Sequence, residues 1–149
     1  MSYTVGEMAK KLGVAPSTLR YYDKEGLLPS IERSEGGARL FRDSDYGLLK
    51  IIECLKATGM QLKDIREFVK LTLEGDGSIE ARLRLFQSQK AVVEAQMRRL
   101  QETLDIVNYK CWYYETAREH GTTEAPDNMP DAEIPEELRP VRARLKNSV

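Results

Sequence analysis

The chain has 149 residues, 32% of them charged, and a formal net charge of −1. That length gives room for one domain plus an extension. The near-zero charge excludes a polybasic protein that holds nucleic acid by bulk charge alone. No apolar run is long enough to span a membrane and no signal peptide opens the chain, so a cytosolic location is expected. The two cysteines, Cys54 and Cys111, then read as free thiols rather than a disulfide framework. Charge is spread unevenly: residues 1–42 hold seven Lys/Arg against five Asp/Glu, whereas residues 76–149 hold eleven against thirteen.

Thr4-Val5-Gly6-Glu7 is a capping box, with Thr and Glu three positions apart. Met8, Ala9 and Leu12 follow at helical spacing, and Gly13-Val14-Ala15 makes a turn. Pro16 suits the first turn of a second helix. Gly26 sits where a left-handed C-terminal cap belongs. Leu19, Leu27 and Leu28 are apolar. Arg20, Tyr21 and Tyr22 cannot all be buried, because successive helical residues point in different directions. Arg20 and at least one Tyr therefore face outward, at a helix start rich in Ser and Thr. A short helix, a Gly-containing turn and a second helix is the helix-turn-helix pattern. Its alternative is a plain helical hairpin.

Gly36-Gly37 is a hairpin turn signal between short flanks, which predicts a two-stranded wing decorated by Arg33, Arg39 and Arg42. Read as a wing, it touches the DNA backbone; read alone, it is a solvated loop. Asp43 is the expected N-cap of the next helix, with Tyr46, Leu49 and Ile52 on its buried face. Thr58-Gly59-Met60-Gln61 breaks it, and a further helix runs through Leu62, Ile65, Phe68, Val69 and Leu73.

From Ile79 the pattern changes. Ile79, Leu83, Phe86, Lys90, Val93, Met97, Leu100, Leu104, Val107, Cys111, Tyr114 and Arg118 alternate in 4-3 spacing, a coiled-coil seam. A helix of this length would run ~60 Å and cannot bury its seam on a small domain, so it pairs with a second chain. Packing back on its own domain is the alternative. Thr122 to Pro135 is rich in Pro, Asp, Glu and Thr without periodicity and reads as mobile. Glu136 to Lys146 has the spacing of a brief helix. The expected organisation is a DNA-binding segment at 1–76, a dimerisation helix at 77–120 and a mobile tail at 121–149.

Thr4-Val5-Gly6-Glu7-Met8-Ala9, Val14-x-x-Ser17-Thr18-Leu19-Arg20-Tyr21-Tyr22-x-x-Glu25-Gly26-Leu27-Leu28, Arg39-Leu40-Phe41 and Leu55-Lys56-x-x-Gly59-Met60-x-Leu62-x-x-Ile65 together resemble the MerR family of bacterial transcriptional regulators. The resemblance covers about the first 75 residues, and the long helix fits the family's dimerisation element. It implies a mainly α fold, a winged helix-turn-helix followed by a long helix that dimerises as an antiparallel coiled coil. It also implies a homodimer on a promoter with an overlong spacer, activated by bending and untwisting that DNA for RNA polymerase. One departure is Ala15, where members often carry a capping Ser or Asn; its loss costs about 1 kcal/mol in that helix. The DNA contacts expected are Arg20, Tyr21 and Tyr22 at the major groove, Ser17 and Thr18 near phosphates, Thr4 among the contacts, and Arg39 and Arg42 on the backbone; the alternative makes one of the two tyrosines partly core.

The effector is a separate question. Residues 112–149 contain no Cys and one His, His120, which argues against the metal-sensing and iron–sulfur branches, so no metal or cofactor is expected. The tail is too short for the ligand domain of the multidrug branches. The chain resembles the small aldehyde- and electrophile-responsive members, and Cys54 occupies the position of their Cys. Lys50 and Thr58 lie one helical turn to either side of it. A nearby ammonium favours the reactive thiolate. The competing reading makes Cys54 a buried apolar filler beside Ile51 and Leu55. A non-covalent ligand or a partner protein remains as the alternative effector. A coiled-coil adaptor without DNA binding is the rival class, separable by a mobility-shift assay at two salt concentrations. One His and two separated Cys do not build the usual enzyme sites.

Overall fold

The computed structural model describes residues 1–146. Its elements run β1 Ser2–Tyr3, α1 Val5–Leu12, α2 Pro16–Lys24, β2 Glu32–Arg33, β3 Arg39–Arg42, α3 Asp43–Ala57, α4 Leu62–Leu73, α5 Ile79–His120, α6 Glu124–Asn128 and α7 Arg139–Lys146, with 3-10 turns at Gly75–Ser78, Asp131–Glu133 and Glu136–Leu138. The chain divides into two compact units, Met1–Val92 and Val93–Val149. The first takes in the expected DNA-binding segment and also the opening turns of α5.

In the first unit, α1 starts on the capping box read from the sequence. Thr4 N donates to Glu7 Oε2 at 2.8 Å, and Glu7 N donates to Thr4 Oγ1 at 3.3 Å. The bond from the Thr4 backbone, then that from its hydroxyl, holds the Glu7 carboxyl below its ordinary value. Gly13 ends α1 at φ 75° and Gly26 follows α2 at φ 75°, the left-handed conformation that glycine adopts without a Cβ penalty. The core joins Met8, Ala9, Leu12, Leu19, Leu27, Leu28 and Phe41 to Leu49, Ile52, Leu55, Ile65, Phe68 and Val69, with Leu85 of α5 packed against it. Phe86 meets the Phe68 ring edge-on at 5.2 Å. Ser78 is buried and bridges the end of α4 to the start of α5: its hydroxyl donates to the carbonyls of Leu71 and Gly75.

Two expectations change here. The wing has three strands rather than two, because β1 pairs antiparallel with β3, Ser2 opposite Arg42 and Tyr3 opposite Phe41, while β2 lies on the other side of β3. Asp43 is the first residue of α3 rather than its cap. The N-cap is Arg42, whose N–H donates to Asp45 Oδ2 at 2.6 Å. Asp43 instead ties β1 to α1 and α3: it accepts from Tyr3 Oη at 2.8 Å and from Lys11 Nζ at 3.1 Å. Those two bonds, Tyr3 first, lower the Asp43 carboxyl, and the bond to Tyr3 and then that to Asp43 raise Lys11.

The second unit corrects the reading of a mobile tail. Tyr109 and Tyr113 of α5 form a small core with Ile134, Leu138 and Val141, flanked by Trp112, Met129 and Leu145. Tyr113 Oη donates to Asp127 Oδ1 at 2.9 Å, which raises the phenol above its ordinary value. Arg142 is buried, and it donates to the carbonyls of Pro126, Asp127 and Met129 and to Asp131. The Pro- and Asp-rich composition suggested disorder, but irregular backbone is held when an arginine fork satisfies its carbonyls and a few apolar residues anchor it.

Candidate nucleic-acid interface

The outward surface of the first unit is set by the pitch of α2. Leu19 and Tyr22 are three apart and share the inner face, both with no exposed area. Ser17, Arg20 and Tyr21 lie on the outer face, with Tyr21 44% exposed, and Thr18 is half-buried. Ala15 forms no side-chain cap, as its residue type implied.

The expectation of both tyrosines at the groove therefore divides. Tyr21 and Arg20 present an aromatic hydroxyl and a guanidinium fork outward, groups suited to base edges and phosphates. Tyr22 is core. Its hydroxyl donates to the Glu53 carboxylate and accepts from Lys56 Nζ at 3.0 Å, and Lys56 lies 4.8 Å from the ring centroid. Burial, then the bond to Glu53, pushes the Tyr22 phenol well above its ordinary value. Tyr22→Ala would empty a fully buried site, at an expected cost of about 3–5 kcal/mol, most of the stability of a small domain. Urea unfolding followed by circular dichroism checks this, and an unchanged midpoint would return Tyr22 to the outer face.

Thr4 is exposed, but its hydroxyl is engaged in the cap with Glu7. The wing arginines are paired. Arg39 Nε donates to Asp23 Oδ2 at 2.6 Å, Arg33 Nη2 donates to the same oxygen at 2.8 Å, and Arg42 pairs with Glu32 on the neighbouring strand. Nothing in the local sequence pattern marks Asp23, Glu53 and Lys56 as site residues. Asp23 meets arginines 10 and 16 positions away and Tyr22 meets Glu53 31 positions away, separations that leave no local signal.

Cys54 is exposed on α3, so burial does not account for it. Glu53 turns inward to Tyr22, and Lys50 Nζ lies 6.0 Å from the Tyr46 ring centroid one turn before the thiol. Cys111 is exposed as well, along with much of the α5 seam: Met97, Leu100, Leu104, Val107 and Tyr114 all lie open to solvent. Among the described residues, no His, Cys, Asp and Glu gather into a metal-binding group, and no helix is long and apolar enough to cross a membrane.

Comparison with known proteins places the chain in a family. Residues 3–71 match the profile of the MerR HTH family regulatory protein, and residues 47–107 match that of MerR, DNA binding. An uncharacterized HTH-type transcriptional regulator of Haemophilus influenzae is 46% identical over 91% of this chain and 98% of its own. The regulator ZntR of Escherichia coli is 33% identical over 69% of this chain and 79% of its own. The crystal structure of HiNmlR, a MerR family regulator lacking the sensor domain and bound to promoter DNA, superposes with a TM-score of 0.79 at 45% identity, over 87% of this chain and 98% of that one. The chain belongs to the MerR family and is a DNA-binding transcriptional regulator, not an enzyme.

Proposed function

We propose that two copies of this chain join along α5 as an antiparallel coiled coil and read a pseudo-palindromic promoter in the cytoplasm. The observation that carries the reading is the open seam. Leu100 is 70% and Met97 64% exposed on one chain, in a heptad pattern that a second helix would cover. Each copy presents α2 to a major groove, with Arg20 and Tyr21 toward base edges and Ser17 and Thr18 near phosphates. Thr4 stands beside that face, while Tyr22 supports it from within. Arg39 and Arg42 hold the backbone from the wing. Two heads fixed on one coil meet an overlong spacer only if the DNA bends or untwists, at a cost of several kcal/mol. That distortion would set the promoter for RNA polymerase. Circular-permutation gels on the bound promoter test it, and undistorted DNA with and without inducer would remove it.

Control by an aldehyde or another electrophile at Cys54 completes the reading, supported by the exposure of its thiol. A non-covalent ligand is the second reading. It is favoured by a cavity of about 570 Å³ where Thr58, Met60 and Gln61 face Leu85, Gln89 and Val92.

The wing contact has its own test. Arg39→Ala is expected to weaken binding to operator and random duplex alike, and to reduce the salt slope by about one unit. Fluorescence anisotropy across a salt series measures both. An unchanged slope would take Arg39 off the backbone.

A further inference from the structure

Asp23 is an unexpected residue to find in the last turn of α2, the helix proposed to meet DNA. A carboxylate near phosphates opposes binding, because it adds a like charge to the polyanion's surroundings. Yet its single oxygen Oδ2 takes both Arg39 Nε and Arg33 Nη2. Arg33 and Arg39 face each other across the β2–β3 ladder, and Arg33 Nη1 also donates to the carbonyl of Gly37 at the wing tip, at 3.3 Å. The pair is not loosely solvated: the side chains of Asp23 and Arg39 are 16% and 24% exposed. Asp23 directly follows Tyr22, whose ring is locked in the core, so the carboxylate stands on a rigid support.

We infer that Asp23 is a positioning residue for DNA binding, a brace that holds the wing arginines at a fixed place relative to the reading helix. The inference rests on the reading that the wing meets the DNA backbone. β1 and the buried Phe41 anchor one end of β3, but β2 has only two residues, both exposed, and so short a strand does not by itself fix the Arg33–Arg39 end of the ribbon. Asp23 engages Nε of Arg39, so that bond does not consume the two η nitrogens. One guanidinium then bridges the carboxylate and a phosphate by charge-assisted bonds. The phosphate held by the wing and the base edges met by Arg20 and Tyr21 are thereby kept in one register.

Simple charge and positioning predict opposite signs for one substitution. Asp23→Asn removes a negative charge beside DNA, so charge alone would tighten binding. If Asp23 is the brace, operator affinity falls about tenfold, or about 1.4 kcal/mol. The ratio of operator to random-duplex affinity then falls with it, and Asp23→Glu, which keeps the carboxylate, recovers most of the loss. The measurement is anisotropy with the full chain on a duplex selected in vitro by the wild-type protein, with melting midpoints and Arg39→Ala run in parallel. Equal or tighter operator binding by Asp23→Asn overturns the brace. So does a loss that Asp23→Glu fails to repair and that follows a lowered melting midpoint. If Arg39→Ala itself changes neither affinity nor slope, the wing contact has failed. If Arg39→Ala weakens binding and Asp23→Asn does not, the brace alone has failed.

Discussion

Leu100→Asp is expected to abolish dimerisation and, with it, operator binding, while leaving each chain folded. Leu100 is 70% exposed on the single chain and belongs to neither buried core. The substitution therefore removes little packing from the unpaired protein, and a surface change of this kind stays within about 0.5 kcal/mol. In a paired coil the same position would bury an unpartnered carboxylate, at several kcal/mol per ion. A two-fold interface counts the change twice, once from each copy. A loss of ~4 kcal/mol corresponds to about a thousandfold in association. Each monomer would then hold one half-site with one wing, too little for a protein of nearly zero net charge. Sedimentation velocity would show a monomer with wild-type helix content, and anisotropy would show no operator complex at concentrations that saturate the wild type. A stable dimer with full operator affinity would mean that the seam is not the interface.

The elements governed by local chemistry were readable from the sequence. The Thr4–Glu7 box, Gly13, Gly26 and the Gly36-Gly37 turn each declare themselves within a few residues, and the structure uses each as read. The core faces of α3 and α4 follow from their helical period. Helical pitch requires only that at least one of Tyr21 and Tyr22 faces outward, and Tyr22, three residues after Leu19 on one helical face, is the one that turns in. What the sequence does not carry is pairing at a distance. β1 has two residues and is a strand only because Phe41 and Arg42 lie beside it. Asp43 looked like a cap because it stands at a helix start, and tertiary neighbours Tyr3 and Lys11 claimed its carboxylate instead. Ile134, Leu138 and Val141 are too sparse to show a period, and become a core only against Tyr109 and Tyr113 of α5. Asp23 belongs to the same class, as its role arises where the wing folds back toward α2.

Cys54→Ser is expected to bind the operator as the wild type does but to lose the transcriptional response to formaldehyde or another electrophile. Because Cys54 is exposed, replacing sulfur by oxygen creates no cavity, so folding and basal binding should be unchanged. The proposed chemistry needs the thiolate. Its sulfur adds to the carbonyl carbon of formaldehyde, and the resulting alkoxide takes a proton from water, giving an S-hydroxymethyl adduct. A serine hydroxyl stays protonated near neutrality and does not replace that nucleophile. Glu53, next to Cys54 in sequence, is turned away by its bond with Tyr22. In this proposal the same bond would give the adduct a route to the DNA. α3 carries Cys54, Glu53 and Lys56, and the last two hold the buried hydroxyl of Tyr22 on α2. A shift of α3 therefore reaches the reading helix through a contact already made. Cys111 stands on the proposed seam, where packing against a second chain accounts for it, so Cys111→Ser should respond normally. A promoter–reporter strain carrying each variant, with mass spectrometry for the adduct, measures both halves. Full induction in the Cys54→Ser strain would assign control to a non-covalent ligand or a partner protein.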